Sequence, residues 1–118
     1  MPYNTILADR VREAIANVGN IEEKTMFRGM CFMVNGKMCI CINKDEMMCR
    51  IGPNEYEVAL EKPGVRPMVH NGKAMKGFVF VNEDAIKTNK DFEYWVTTAL
   101  AFNATAKASK PKKKKQAS

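Results

Sequence analysis

Between Thr25 and Ile51 the chain is built from β-branched, Phe, Met and Cys residues, interrupted by two turn signals, Asn35-Gly36 and Lys44-Asp45. No other stretch constrains the fold as much. Three strands joined by two-residue turns form an antiparallel meander, and its register decides which side chains meet a core. A turn at Asn35-Gly36 sets Val34 opposite Lys37, Phe32 opposite Cys39 and Met30 opposite Cys41; a turn at Lys44-Asp45 sets Cys41 opposite Met48 and Cys39 opposite Arg50. One face then carries Cys31, Met33, Met38, Ile40, Ile42, Met47, Cys49 and Ile51 and is expected to be buried against helices. The other carries Met30, Phe32, Val34, Lys37, Cys39, Cys41, Met48 and Arg50 and is mixed. Gly29 reads as a bulge, so this register stops short of Met26, Phe27 and Arg28.

The flanks are helical or paired. Asn4 or Thr5 can cap a helix over about residues 4 to 18, with Leu7, Val11, Ala14, Ile15 and Val18 along one face and Gly19 closing it. Gly52-Pro53 opens a short helix that ends before Pro63-Gly64. Asn71-Gly72 joins a second hairpin, in which Phe78-Val79-Phe80-Val81 is the best strand. Asn82 or Thr88 starts a last helix, marked by Phe92, Trp95, Val96, Ala99, Leu100 and Phe102 and running to about Ala106. The order α-β-β-β-α-β-β-α, hairpins with segregated helices, predicts an α+β domain with an antiparallel sheet.

The 118 residues suffice for one core. No apolar run approaches the roughly 20 residues a membrane span needs, and the N-terminus lacks the shape of a secretory signal. A soluble cytoplasmic protein without a membrane partner is expected. Of 19 basic residues, six (Lys107, Lys110, Lys112, Lys113, Lys114 and Lys115) fall in the last twelve positions, and the other 13 balance 13 acidic ones. The chain therefore divides into a neutral domain over 1–106 and a lysine-rich tail over 107–118, predicted disordered. Such an arm attracts nucleic acid by counterion release, weakly and without regard to sequence.

Met26-Phe27-x-Gly29 with Cys31-Phe32 and Asn35-Gly36-Lys37, Gly52-Pro53 with Tyr56 and Ala59-Leu60, and Arg66-Pro67-Met68 leading to Met75-Lys76-Gly77-Phe78-Val79 carry a family resemblance. Over about residues 3 to 104 the chain resembles the N-terminal domain of the TfoX/Sxy competence regulators. The resemblance implies a two-layer α-β(3)-α-β(2)-α fold similar to secretion-chaperone-like domains, and no enzyme activity or cofactor. Full-length members resemble regulators that help switch on DNA-uptake genes with a cyclic-AMP-receptor type activator. They carry a second, C-terminal domain where this chain has lysines. The family brings no catalytic or ligand-binding residue with it.

The cysteines do not make a metal site in the expected register, because Cys39 and Cys41 point to one face and Cys31 and Cys49 to the other. Cys31 and Cys49, on outer strands about 10 Å apart, are beyond disulfide reach, and an i,i+2 pair bridges poorly. All four read as reduced core residues, with Cys39, opposite Arg50, as the candidate reactive thiol. His70 reads as a surface residue at a hairpin turn, and an enzyme would need a Cys39–His70 dyad formed by tertiary contact. Gly72-Lys73 and Gly77 lack phosphate-loop spacing. Arg66, Lys73 and Lys76 form a basic rim that reads as a solvated face. Met30, Phe32, Val34 and Met48 are the candidate interface for a protein partner or a second copy. The favoured function is a non-enzymatic regulatory or interaction module with a lysine tail; the alternative is a small nucleic-acid-associated protein acting mainly through that tail.

Overall fold

A computed structural model describes residues 3–26 and 29–106; the tail over 107–118, with the expectations placed on it, lies outside the described residues. The elements run α1 (Thr5–Ala14), β1 (Ile21–Met26), β2 (Gly29–Val34), β3 (Lys37–Asn43), β4 (Glu46–Arg50), α2 (Pro53–Leu60), β5 (Val65–His70), β6 (Lys73–Val81), a 3-10 turn (Glu83–Ile86) and α3 (Asn89–Thr105). Six strands form one antiparallel sheet in the order β1-β2-β3-β4-β6-β5. The α+β class holds, with one strand more than expected. That strand, β1, is an edge strand whose Glu22, Glu23, Lys24 and Thr25 are exposed, so it shows no apolar alternation. No helix among the described residues is long and apolar enough to cross a membrane.

Local chemistry sets the element ends. The Asn4 side chain accepts from the Leu7 amide at 3.0 Å and starts α1. That helix closes at Ile15, so Gly19 lies beyond it and is not its cap. Both residues expected to open the last helix are used. Asn82 accepts from the Ala85 amide and caps the 3-10 turn, and Thr88 accepts from the Asp91 amide and caps α3. The helices share one side of the sheet. Leu7 and Val11 of α1, Tyr56 and Ala59 of α2, and Phe92, Trp95, Val96 and Ala99 of α3 close over Phe32, Val34, Ile40, Ile42, Met47, Cys49, Val79 and Val81. Each fully buried Val, Ile or Phe contributes roughly 1.5–3 kcal/mol.

Polar contacts tie the layers at their edges. Arg12 holds Glu23 of β1 in a fork at 2.6 and 2.8 Å, and this hydrogen bond keeps the Glu23 carboxyl below its ordinary range. Buried Asn103 donates from α3 to the Val34 carbonyl. Lys37 Nζ reaches the carbonyls of Asn103 and Ala106 at 2.7 and 3.0 Å, satisfying the open end of α3. At the end of β4 the Ile51 and Gly52 amides both donate to the Gly77 carbonyl (2.8 and 3.1 Å), and the Phe102 ring stands 2.3 Å from where a Gly52 Cβ would be.

The observed register corrects the expected one. Val34 faces Lys37 and Cys41 faces Met48 as expected, but a bulge between these points pairs Phe32 with Ile40, Cys31 with Cys41 and Met30 with Ile42. Cys39 is the extra residue on β3, and Cys39 and Ile40 both join the helix-side core. The shift turns β2 over, so Phe32 and Val34 are buried under the helices and Cys31 and Met33 share the other side. The expected core side of β3 and β4, with Ile40, Ile42, Met47, Cys49 and Ile51, is the observed one.

Gly29 is not a bulge; it pairs with Met26 and opens β2. A Cβ there would stand 1.9 Å from the Ile42 carbonyl oxygen. Gly29→Ala is therefore expected to cost about 2 kcal/mol or more, read as a lower urea midpoint by the fluorescence of buried Trp95. An unchanged midpoint would show that β2 does not begin this close to β3.

Candidate functional site

With the three helices packed on one side, no helix among the described residues lies against the opposite face of the sheet. A second cluster of buried residues lies there, Cys31, Cys41, Met48 and Met68, with half-buried Met38, Phe78 and Phe80 packed against it, and every member comes from a strand. Across the registers, Lys24, Cys31, Cys41, Met48, Phe80 and Arg66 make a single row over all six strands. The row spans about 24 Å at ordinary strand spacing, begins and ends on a cation, and is apolar between.

Two rings stand on this face because β6 alternates. Val79 and Val81 are fully buried on the helix side, which turns Phe78 and Phe80 outward. Each ring has a guanidinium beside it. Arg66, from β5, lies 4.7 Å from the Phe80 centroid and is paired with Glu46; Arg50, opposite Phe78 on β4, lies 5.6 Å from the Phe78 centroid and 5.4 Å from that of Phe102. Arg50 has no carboxylate partner among the described residues. The face thus offers aromatic planes, flexible thioethers and guanidinium groups in contact with them.

The cysteines divide differently from the sequence expectation. Cys31 and Cys41, directly opposed on β2 and β3 with Cα atoms 4.0 Å apart, form a disulfide beneath the open face. The bulge at Cys39 creates this pairing, which the unbulged register hides. Cys39 and Cys49 are free and buried on the helix side. Burial pushes the Cys39 thiol up to about 12, outweighing the lowering pull of Arg50 and Lys37, so the expectation of an Arg50-activated thiol is corrected. Burial also raises the Cys49 thiol. His70 is exposed at the end of β5, with β6 and β4 between that strand and β3, so no Cys39–His70 dyad forms. Among the described residues no three His, Cys, Asp or Glu side chains gather as a metal-binding group.

Of the four expected interface residues, Phe32 and Val34 are fully buried, and half-buried Met30 packs against the helix-side core. Only Met48 lies on the side of the sheet away from the helices, where it is 2% exposed. The rings and guanidiniums of the open face were missed as a set. Their signal was the alternation in Phe78-Val79-Phe80-Val81, apolar on both sides but aromatic on one. A separate surface groove of about 580 Å³ lies where the end of α2, the 3-10 turn and α3 meet, lined by Lys62, Gly64, Asn82, Asp84, Tyr94 and Trp95; Asn82 is already engaged there as a cap.

Thiol counting checks this arrangement. The oxidised native protein is expected to show no fast-reacting thiol, two after unfolding without reductant and four after unfolding with it. A fast native thiol would contradict the buried placement of Cys39, and four unfolded thiols before reduction would contradict the Cys31–Cys41 bond.

Searches of curated proteins and of solved structures gave no match. A family model described as the TfoX N-terminal domain matches residues 13–103, which run from α1 almost to the end of α3 and include every strand of the sheet. The chain belongs to the TfoX N-terminal domain family.

Proposed function

We propose that this chain is a competence-type regulatory domain that acts in the cytoplasm by binding across its open sheet face, not by catalysis. The observation that carries the reading is the cluster of half-buried Met38, Phe78 and Phe80 on the side of the sheet where no helix of the described residues packs. Apolar side chains left this way on a sheet are suited to a macromolecular partner, and thioethers adapt to its shape. Burial of both free thiols on the other side and the exposed position of His70 support binding over turnover. In the reducing cytoplasm Cys31 and Cys41 are expected as the dithiol; they are direct partners in the β2–β3 ladder. The six lysines after residue 106 add a sequence-indifferent attraction to nucleic acid.

The test is a reporter for DNA-uptake genes in a host lacking its own TfoX-type regulator and carrying this chain. Met38→Glu puts a charge on the open face at a half-buried position. It is expected to abolish induction at unchanged protein level and with a melting temperature within a few degrees of the unaltered chain. Full induction by Met38→Glu would remove the open face as the working surface; no induction by the unaltered chain would remove the competence role.

A further inference from the structure

From the geometry of this same face, and resting on its role as the binding surface, we infer that its partner is single-stranded RNA, held by base stacking on Phe78 and Phe80. Bases that are not paired expose π-faces, and antiparallel sheets that read RNA stack them on aromatic side chains or guanidinium planes. Phe78 and Phe80 stand two positions apart on one side of β6, about 7 Å along the strand, so neighbouring unstacked bases meet one ring each. Arg50 and Arg66 already lie against those rings, where they contact phosphate or extend the stack.

The strand sequence supports the same occupant. Lys76-Gly77-Phe78-Val79-Phe80-Val81 follows the ribonucleoprotein pattern Lys/Arg-Gly-aromatic-Gly/Ala-Phe-Val, in which the aromatic side chains project from a sheet. It departs at Val79, where the pattern has Gly or Ala, but Val79 is fully buried toward the helices and leaves the open face unchanged. It departs again at Glu83, where the pattern ends on an aromatic residue, and Glu83 lies past the strand in the 3-10 turn. The sheet order differs from that of ribonucleoprotein domains, so the likeness lies in the use of a sheet face.

Charge completes the fit to a polyanion. The apolar row ends on Lys24 at one edge and Arg66 at the other, and Arg50 has no acidic partner among the described residues. Glu46 offsets Arg66, and exposed Glu22 lies on β1, so rings and not net charge supply most of the binding. Ala106, whose carbonyl is held by Lys37 at 3.0 Å, is followed in sequence by the six lysines.

The experiment measures fluorescence anisotropy of a short mixed-sequence RNA strand, the same sequence as single-stranded DNA, and the RNA annealed to its complement, each titrated with the full chain across a salt series. The RNA strand is expected to bind more tightly than the other two. Phe80→Leu, which keeps apolar bulk without the ring, is expected to weaken RNA binding roughly ten-fold with an unchanged thermal melt, and Phe80→Tyr to restore it. Changing Lys112, Lys113, Lys114 and Lys115 to Ser in the full chain is expected to flatten the salt dependence and leave the Phe80 effect in place. Four results overturn the inference: no RNA binding, binding by Phe80→Leu equal to that of the unaltered chain, loss of all binding with the tail lysines alone, or DNA bound as tightly as RNA. None of these touches the open-face reading itself, which stands or falls with the Met38→Glu reporter; a chain that binds no RNA yet loses induction with Met38→Glu has a different partner on the same face.

Discussion

The extra residue that β3 carries at Cys39 sets the phase of β2 against the rest of the sheet. Side chains alternate with a period of two, so one unpaired residue exchanges the faces of a neighbouring strand. With the bulge, Phe32 and Val34 fall beneath α1 and α3, where large apolar side chains complete the core, and Cys31 and Met33 fall on the uncovered side. Without it, Cys31 and Met33 would be offered to the helices, and Phe32 and Val34 to the side of the sheet away from them. The disulfide, the composition of the open face and the burial of Cys39 follow from this one irregularity.

Local signals in the sequence carried most of the architecture. Asn35-Gly36 and Asn71-Gly72 both adopt positive φ and join the hairpins they predicted, and Gly52-Pro53 opens α2. These features depend on a few adjacent residues. The bulge is a property of two strands together, and nothing around Cys39 marks it, so β2 was assigned to the wrong side and the Cys31–Cys41 pairing was hidden. Strand β1 is illegible in the sequence for a different reason: an edge strand that buries little has no need of an apolar face.

The candidate site was harder to read than the fold. Phe78 and Phe80 were recognised as strand residues, but which side of an alternating strand stays open depends on where three helices dock. Cross-strand neighbours such as Arg66 beside Phe80, from segments separated by a turn and a bulge, become a site only when the register is known. A neutral body with its excess charge gathered at one end obscures this further, because nothing in the composition marks the sheet face.

The joint at Gly52 has a consequence for how the molecule opens. Backbone of β4 and β6 meets there through two amides on one carbonyl, and the Phe102 ring closes the remaining space from α3. No side chain intervenes to act as a spacer, so the last helix cannot lift without uncovering the pairing of two central strands. The end of α3 and the middle of the sheet therefore form one cooperative unit. The part of the β5–β6 arm beyond Gly77, exposed on nearly every residue, is outside that unit and opens at lower cost. A partner laid across the open face would bridge the rigid unit and the looser arm, and its binding would reach the stability of the arm before that of the core.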